Sequence, residues 1–322
     1  METKLNIYGI KIIVSSDKEI AKWLSHDYSY YLDNTITTSN LKFDLRFEKP
    51  DYSSLPKIKA TAYHDNYIIY DSKKIRIIDF FEKALAIYDT KNKIVKISCL
   101  DKDKLYEIFS LSFDSLLGEE LDKRGFHRIH CLGLEKNGKA ILILLPPGGG
   151  KTTLALKFLK SKNARVLCED TLLFKKGKLY SLHFRWGVRN LNYSKGRIMR
   201  TENYGTKLLL DTKKLNLAKT AKPALILQGI RLLSEDSYIK RVNNLKLFMP
   251  MFKSMVLGLE LQQSLAYFLL RNHREKVSKA NLGFSRLSAL FSILGKTKCY
   301  EFGLGKDIEK NYALLEKFLD RI

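Results

Sequence analysis

Ala140-Ile141-Leu142-Ile143-Leu144-Leu145-Pro146-Pro147-Gly148-Gly149-Gly150-Lys151-Thr152-Thr153-Leu154-Ala155-Leu156 is the stretch that decides how this chain is read. Ala140 to Leu145 is a short apolar run and predicts a buried strand. Two prolines and three glycines predict a turn, and the spacing of Leu154, Phe158 and Leu159 predicts a helix leaving it. A glycine-rich turn between a strand and a helix can aim its backbone N–H groups at a phosphate chain, and the helix dipole adds to the attraction. Pro147, Gly148, Gly149, Gly150, Lys151, Thr152 and Thr153 are therefore the expected nucleotide-binding residues. Lys151 would reach the terminal phosphates, and the Thr152 hydroxyl would ligate Mg²⁺. The usual G-x-x-x-x-G-K-[ST] pattern has a glycine where this chain has Leu145.

Working outward, the next informative residues are Glu169 and Asp170, 18 and 19 positions beyond Lys151. They follow the predicted strand Arg165–Cys168, and the C-terminal ends of strands line the ligand crevice of an open α/β sheet. Between 136 and 201 there are 15 Lys/Arg and only these two acids. One carboxylate of the pair can hold Mg²⁺ and the other can take a proton from a hydroxyl. His130 lies 21 residues before Lys151 and is a candidate for orienting or deprotonating an attacking group. Arg185 and Arg189 are candidates for stabilising charge on a transferring phosphoryl group.

His130, the strand Ala140–Leu145, the run GGGKTTLAL and the strand ending in Glu169-Asp170 resemble the catalytic core of the HPr kinase/phosphorylase family, with a related arrangement in phosphoenolpyruvate carboxykinases. The resemblance covers about 126–185. It implies Mg²⁺-dependent phosphoryl transfer from ATP to a hydroxyl, with GTP and pyrophosphate as other donors. Carried over by position, it puts Lys151 and Thr152 on phosphate and metal, Glu169-Asp170 in the acid-pair role and His130 in a supporting catalytic one. The chain departs from the family in having Glu-Asp for Asp-Asp, Leu145 for a glycine, and no matching downstream glycine-rich stretch. HPr is therefore not the expected acceptor; a serine of a peptide or protein, or a small-molecule alcohol, is. The family tends to form ring-like oligomers, so a homo-oligomer is also implied.

The 322 residues suggest two domains, and a hydrophobic content of 45% excludes a disordered chain. A strand-rich first domain, 1–125, of structural or substrate-recruiting role is expected, followed by a kinase-like domain, 126–322. The expected fold class is α/β, with an α+β N-terminal domain and a P-loop core of the HPr kinase/phosphoenolpyruvate carboxykinase type. In the first part, strands are predicted at Leu5–Val14, Leu41–Phe47, Lys57–Tyr63, Tyr67–Tyr70, Ile75–Ile78, Ala84–Tyr88 and Ile94–Cys99, with helices at Asp17–Leu24 and Lys104–Leu121. In the second, strands are predicted at Phe126–Leu134, Ala140–Leu145, Arg165–Cys168, Thr171–Phe174, Lys178–His183, Ala224–Arg231 and Cys299–Phe302. Helices are predicted over Leu245–Asn272, Leu282–Ile293 and Ile308–Leu319.

The net charge of +23 is uneven: residues 1–125 carry 20 basic and 20 acidic side chains, and the remainder carries 37 and 14. Such a basic half attracts polyanions, so RNA is the second partner left open, with Tyr193, Lys195, Arg197 and Arg200 as contacts. A non-catalytic nucleotide-binding regulator is the third reading. Cys99, Cys131, Cys168 and Cys299 have neither metal-ligand spacing nor a disulfide framework. Met-Glu-Thr-Lys does not open like a signal peptide. The longest apolar candidate, Met251 to Leu270, is broken by Lys253, Glu260, Gln262 and Gln263, so no membrane span is read and a cytoplasmic location is expected.

Overall fold

A computed structural model describes residues 1–146, 148–188, 196–201, 205–210, 212, 215, 217–257 and 273–321. The chain is a mixed α/β protein, rich in strands. It divides into two compact units: residues 1–120 with 184–213, and 121–183 with 214–322. The first unit therefore takes back a segment that the sequence reading assigns to the second domain. Counted by unit, the first has 25 basic and 21 acidic residues and the second 32 and 13. Almost all of the excess positive charge thus belongs to the second unit.

The first unit opens with β1 (Glu2–Ile7), β2 (Ile10–Ser15), α1 (Lys18–Asp27) and β3 (Leu41–Arg46). It continues through β4 (Ala60–His64), β5 (Tyr67–Asp71), β6 (Ile75–Asp79), β7 (Ala84–Asp89) and β8 (Ile94–Cys99) to α2 (Lys102–Lys123), whose last residues pass into the second unit. The eight strands form one sheet in the order β1-β2-β3-β8-β7-β6-β5-β4. In β3, Leu41, Phe43 and Leu45 are buried while Lys42 and Arg46 are exposed, the alternation of a sheet covered on one side. The single run expected over Leu5–Val14 is a hairpin instead. Tyr8 and Gly9, at φ 51° and 83°, make a turn with both residues left-handed, and glycine tolerates this without strain. Asp17 caps α1 by accepting from the N–H groups of Glu19 and Ile20.

The second unit contains β9 (His127–His130), β10 (Leu132–Lys136), β11 (Lys139–Leu144), α3 (Lys151–Phe158), β12 (Arg165–Cys168), β13 (Thr171–Lys175) and β14 (Lys178–Ser181). The chain then returns to the first unit for β15 (Trp186–Val188), β16 (Arg197–Thr201) and β17 (Gly205–Leu210), a small antiparallel sheet that the sequence reading missed. Back in the second unit come β18 (Thr220–Arg231), β19 (Tyr238–Arg241), the short α4 (Phe248–Met251), a π-helical turn at Phe252–Leu257, α5 (His273–Leu294), β20 (Lys298–Leu304) and α6 (Ile308–Leu319). Of the helix expected over Leu245–Asn272, residues 258–272 lie outside the described residues.

β18 organises this unit. Its first residues pair with β14, and from Lys222 onward it runs parallel to β11 on one side and, from Leu225, to β20 on the other. β11, between antiparallel β10 and parallel β18, is covered on both faces, and Ala140 to Leu144 accordingly reads as an unbroken apolar run. Ala140, Leu142 and Leu144 join Met251, Leu290 and Ile293 of α4 and α5 in one core cluster. Ile141 and Ile143, one residue out of phase, are buried on the opposite face. Two other helices pair there with aromatic contacts: Phe158 of α3 meets Tyr312 of α6 at 4.9 Å, and Phe318 of α6 meets Tyr300 of β20 at 5.0 Å.

Candidate functional site

The site forms because β10 runs antiparallel between β11 and β12. The start of β10 therefore lies beside the C-terminal ends of both neighbours. Those ends carry the glycine loop and Glu169-Asp170, and the residue two places before β10 is His130. The sequence predicts one strand over Phe126–Leu134, but the chain breaks at Cys131. Before the break β9 pairs with β13, and after it β10 pairs with β11 and β12. The Cys131 N–H donates to the carbonyl of Asp170 at 3.0 Å, which pins His130 next to the acid pair.

Each described loop glycine has its own reason. Gly148 and Gly150 sit at φ 72° and 96°, in the left-handed region, although a Cβ on either would touch nothing. Gly149 is required by space, since its Cβ would come within 2.9 Å of the Pro146 carbonyl, and its N–H donates to that oxygen at 2.9 Å. Gly150 is the N-cap of α3, and no side chain satisfies the first N–H groups of that helix. Such a helix start is suited to an anion. Thr153, also expected at the nucleotide, is exposed at this end of α3. Pro147 lies outside the described residues.

Leu145 resolves the departure from the usual loop pattern. It is buried, and a Cβ on Gly229 of β18 would fall 2.1 Å from its Cδ2. The side chain thus fills the space that Gly229 leaves open on the neighbouring strand. The glycine missing from the loop is matched by a glycine across the sheet.

Lys151 is buried to 8% exposure and folded back into the loop. Its ammonium donates to the Leu145 carbonyl at 3.0 Å and to His130 Nε2 at 2.8 Å, and lies 3.8 Å from Asp170 Oδ1. An ammonium has only donors, so His130 Nε2 must accept. The ring proton is then on Nδ1, 3.2 Å from Asp170 Oδ2. Asp170, His130 and Lys151 are thus clustered, but the His130 Nδ1 is buried without a hydrogen bond and is near Asp170 only by distance. Beside it, the Thr152 hydroxyl donates to Glu169 Oε1. Burial, with the Asp170 charge adding to it, pushes the Glu169 carboxyl above its ordinary range; Thr152 and Lys151 offset only part of this. Beside the Thr152 hydroxyl and a second carboxylate, Glu169 is placed where a bound cation would favour its charged form. No group of three or more His, Cys, Asp or Glu in metal-binding geometry occurs among the described residues. Mg²⁺ needs only one or two carboxylates when phosphate oxygens complete its shell, so these residues fit it.

The structure brings His130, Lys151, Thr152, Glu169 and Asp170 together within the second unit. Arg185 belongs to the first unit, where its guanidinium donates to Tyr28 Oη at 3.1 Å and lies 3.8 Å from Asp27. Asp27 is fully buried and also accepts from Arg197 at 2.9 Å and Tyr106 at 2.7 Å. Arg197, expected at RNA, is stacked over Trp23 and Tyr106 within this network. A buried carboxylate needs such partners, and each arginine is committed to it. Arg200 is exposed, and Arg189, Tyr193 and Lys195 lie outside the described residues.

Sequence reasoning missed two contributors. The Ser254 hydroxyl donates to the His130 carbonyl at 2.9 Å, and the Leu145 carbonyl holds Lys151. Ser254 is 124 residues from His130 and lies in no recognisable motif. No family model and no curated sequence matches the chain. Among solved structures, the Hpr(Ser) kinase/phosphatase from Coxiella burnetii is similar over 60% of this chain and 88% of that one, at 12% identity and a TM-score of 0.27. No helix among the described residues is long and apolar enough to cross a membrane.

Proposed function

We propose that the second unit is a Mg²⁺-dependent phosphotransferase that moves the terminal phosphoryl group of ATP to a hydroxyl. The observation that carries this reading is the convergence of Lys151, His130, Asp170, Glu169 and Thr152 beside the Gly148–Gly150 turn. Backbone N–H groups of the turn and of the start of α3 bind the phosphate chain. Lys151 leaves His130 for the terminal phosphates, because an ammonium gains more from a phosphate oxygen than from a neutral imidazole. Glu169 and Thr152 would hold Mg²⁺, which supplies positive charge to the phosphate oxygens.

Asp170 is the residue placed to receive the acceptor's proton. Its side chain is 43% exposed, whereas that of Lys151 is 9% exposed. The acceptor oxygen forms a bond to the γ-phosphorus, the bond from that phosphorus to the β,γ-bridging oxygen breaks, and ADP leaves with the electron pair. Asp170 takes the hydroxyl proton, with His130 beside it at 3.2 Å. A peptide serine or a small alcohol is the proposed acceptor.

The test is transfer from γ-labelled ATP with Mg²⁺ into protein, RNA and small-molecule fractions, comparing the natural chain with Lys151→Ala. Label in one fraction, lost in the variant, supports the proposal and names the acceptor class. ATP bound but never consumed would sink it. The charge of the second unit favours one further reading, an activity on RNA. That reading requires RNA affinity that falls steeply with added salt.

A further inference from the structure

A second cluster of polar side chains lies in the second unit, built from residues that the phosphotransferase reading does not use. Its floor is His127, 5% exposed on β9. The Nδ1 of His127 is 2.9 Å from Asp122 Oδ1, and its Nε2 is 3.0 Å from the hydroxyl of Ser285 on α5. Above the floor is an open cleft of about 460 Å³. Lys175, Lys176 and Lys296 line it together with Ser285, Ser288 and Ser292, and no acidic residue does. The three serines, spaced three and four apart, share one face of α5. Lys175 and Lys176 stand at the turn between β13 and β14, and the Lys296 ammonium lies against Gly177 of that turn.

The serine, histidine and aspartate have the spacing of a nucleophilic triad, but Asp122 is already engaged. Arg286 donates to both of its oxygens and to the Val256 carbonyl. A carboxylate neutralised by a guanidinium gives little help to an imidazolium, so a nucleophilic role for Ser285 is not favoured. The Asp122–Arg286 pair instead fixes His127 and the serine face of α5. Lys175, Lys176 and Lys296 bring three positive charges to a cleft without a carboxylate, the Lys175 ammonium lying over the Phe126 ring at 4.1 Å, and an anion bound in the cleft is attracted by all three.

We propose that this cleft is a binding site for a small phosphorylated molecule. The ammonium groups of Lys176 and Lys296 take the phosphate, Lys175 adds its charge from over the Phe126 ring, and the serine hydroxyls take the polar groups of the body attached to it. The volume suits a ligand the size of a phosphosugar.

The test is calorimetric titration of the full chain carrying Lys151→Ala, which separates the cleft from the nucleotide loop. Inorganic phosphate and ribose 5-phosphate are the probes, and ribose is the control. Saturable binding of both phosphates at roughly millimolar Kd or tighter is expected, with none for ribose. Adding Lys175→Gln and Lys296→Gln is expected to weaken binding at least tenfold, and adding Ser285→Ala several-fold for ribose 5-phosphate only. Lys160→Gln with Lys162→Gln removes the same charge from exposed sites elsewhere in the unit and is expected to change nothing. Equal weakening by the two charge-matched pairs would overturn the proposal, as would no saturable phosphate binding. Binding of a short RNA without binding of either phosphate would also overturn it.

Discussion

Alanine at Gly229 is the sharpest perturbation of the loop that does not touch a polar group of the site. Its Cβ would lie 2.1 Å from Leu145 Cδ2 and 3.0 Å from both Leu145 Cγ and Leu304 Cδ1. Non-bonded carbons prefer about 3.5–4.0 Å, so Leu145 must move. Overpacking of this kind costs about 1–3 kcal/mol. Leu145→Ala alone leaves a hole beside a strand buried on both faces and costs about 2–5 kcal/mol. Together, the new methyl occupies part of the hole, so the double variant is expected to lose about 1–2 kcal/mol less than the sum of the two. Hydrogen exchange of peptides spanning Lys139–Leu145, read as opening free energies, measures each corner of the cycle. ATP affinity is expected to follow the same pattern, because the Leu145 carbonyl positions Lys151. Additivity within about 0.5 kcal/mol would refute the idea that Leu145 stands in the space of Gly229.

Asp170→Asn is expected to lower the transfer rate by about 10²–10⁴-fold while ATP affinity changes little; an equal fall in both would make Asp170 a binding group. Gly150→Ala places a side chain at φ 96° and is expected to cost about 1–2 kcal/mol and weaken nucleotide binding, both readable from melting with and without ATP. Burial, then Asp170, raises the Glu169 carboxyl, so the stability it contributes is complete below the ordinary carboxylate range and lost as pH rises through its raised value. Glu169→Gln is accordingly expected to melt higher than the natural chain at neutral pH and to lose the gain conferred by Mg²⁺ with ATP, as thermal melts would report. Asp27 has the opposite sign. Burial works against its charge, but His26, Arg185, Arg197 and Tyr106 outweigh it, so its contribution is present at neutral pH and lost as pH falls below the ordinary aspartate range. Asp27→Asn strands two buried guanidinium groups and is expected to cost about 3–5 kcal/mol in urea denaturation.

The amino-acid sequence made the site legible where chemistry and local conformation coincide. Three glycines before Lys-Thr have few other uses, and two adjacent acids in a basic stretch are conspicuous. The helix over Ile308–Leu319 and the strand over Arg165–Cys168 were readable because caps and apolar periods agreed. What stayed hidden depends on distant pairing. Phe126–Leu134 reads as one strand because nothing local marks Cys131 as the point where the chain changes partners. The pairing of Arg185 with Asp27, 158 residues earlier, leaves no local trace in the sequence. Leu145 reads as a defect until Gly229 is seen beside it. The sheet formed by β15, β16 and β17 was missed because it is short and interrupted by polar residues.

The first unit is discontinuous, and this affects the order in which the protein can fold as it is made. Residues 1–120 emerge from the ribosome carrying a buried Asp27 whose arginines, at 185 and 197, have yet to be synthesised. At about 5–20 residues per second, the segment that completes the unit follows several seconds later. Until then Asp27, at the end of α1, has His26 and Tyr106 but neither guanidinium, and a chain cut near residue 120 would be left the same way. Both arginine partners of Asp27 are in place only once the chain has grown past residue 197.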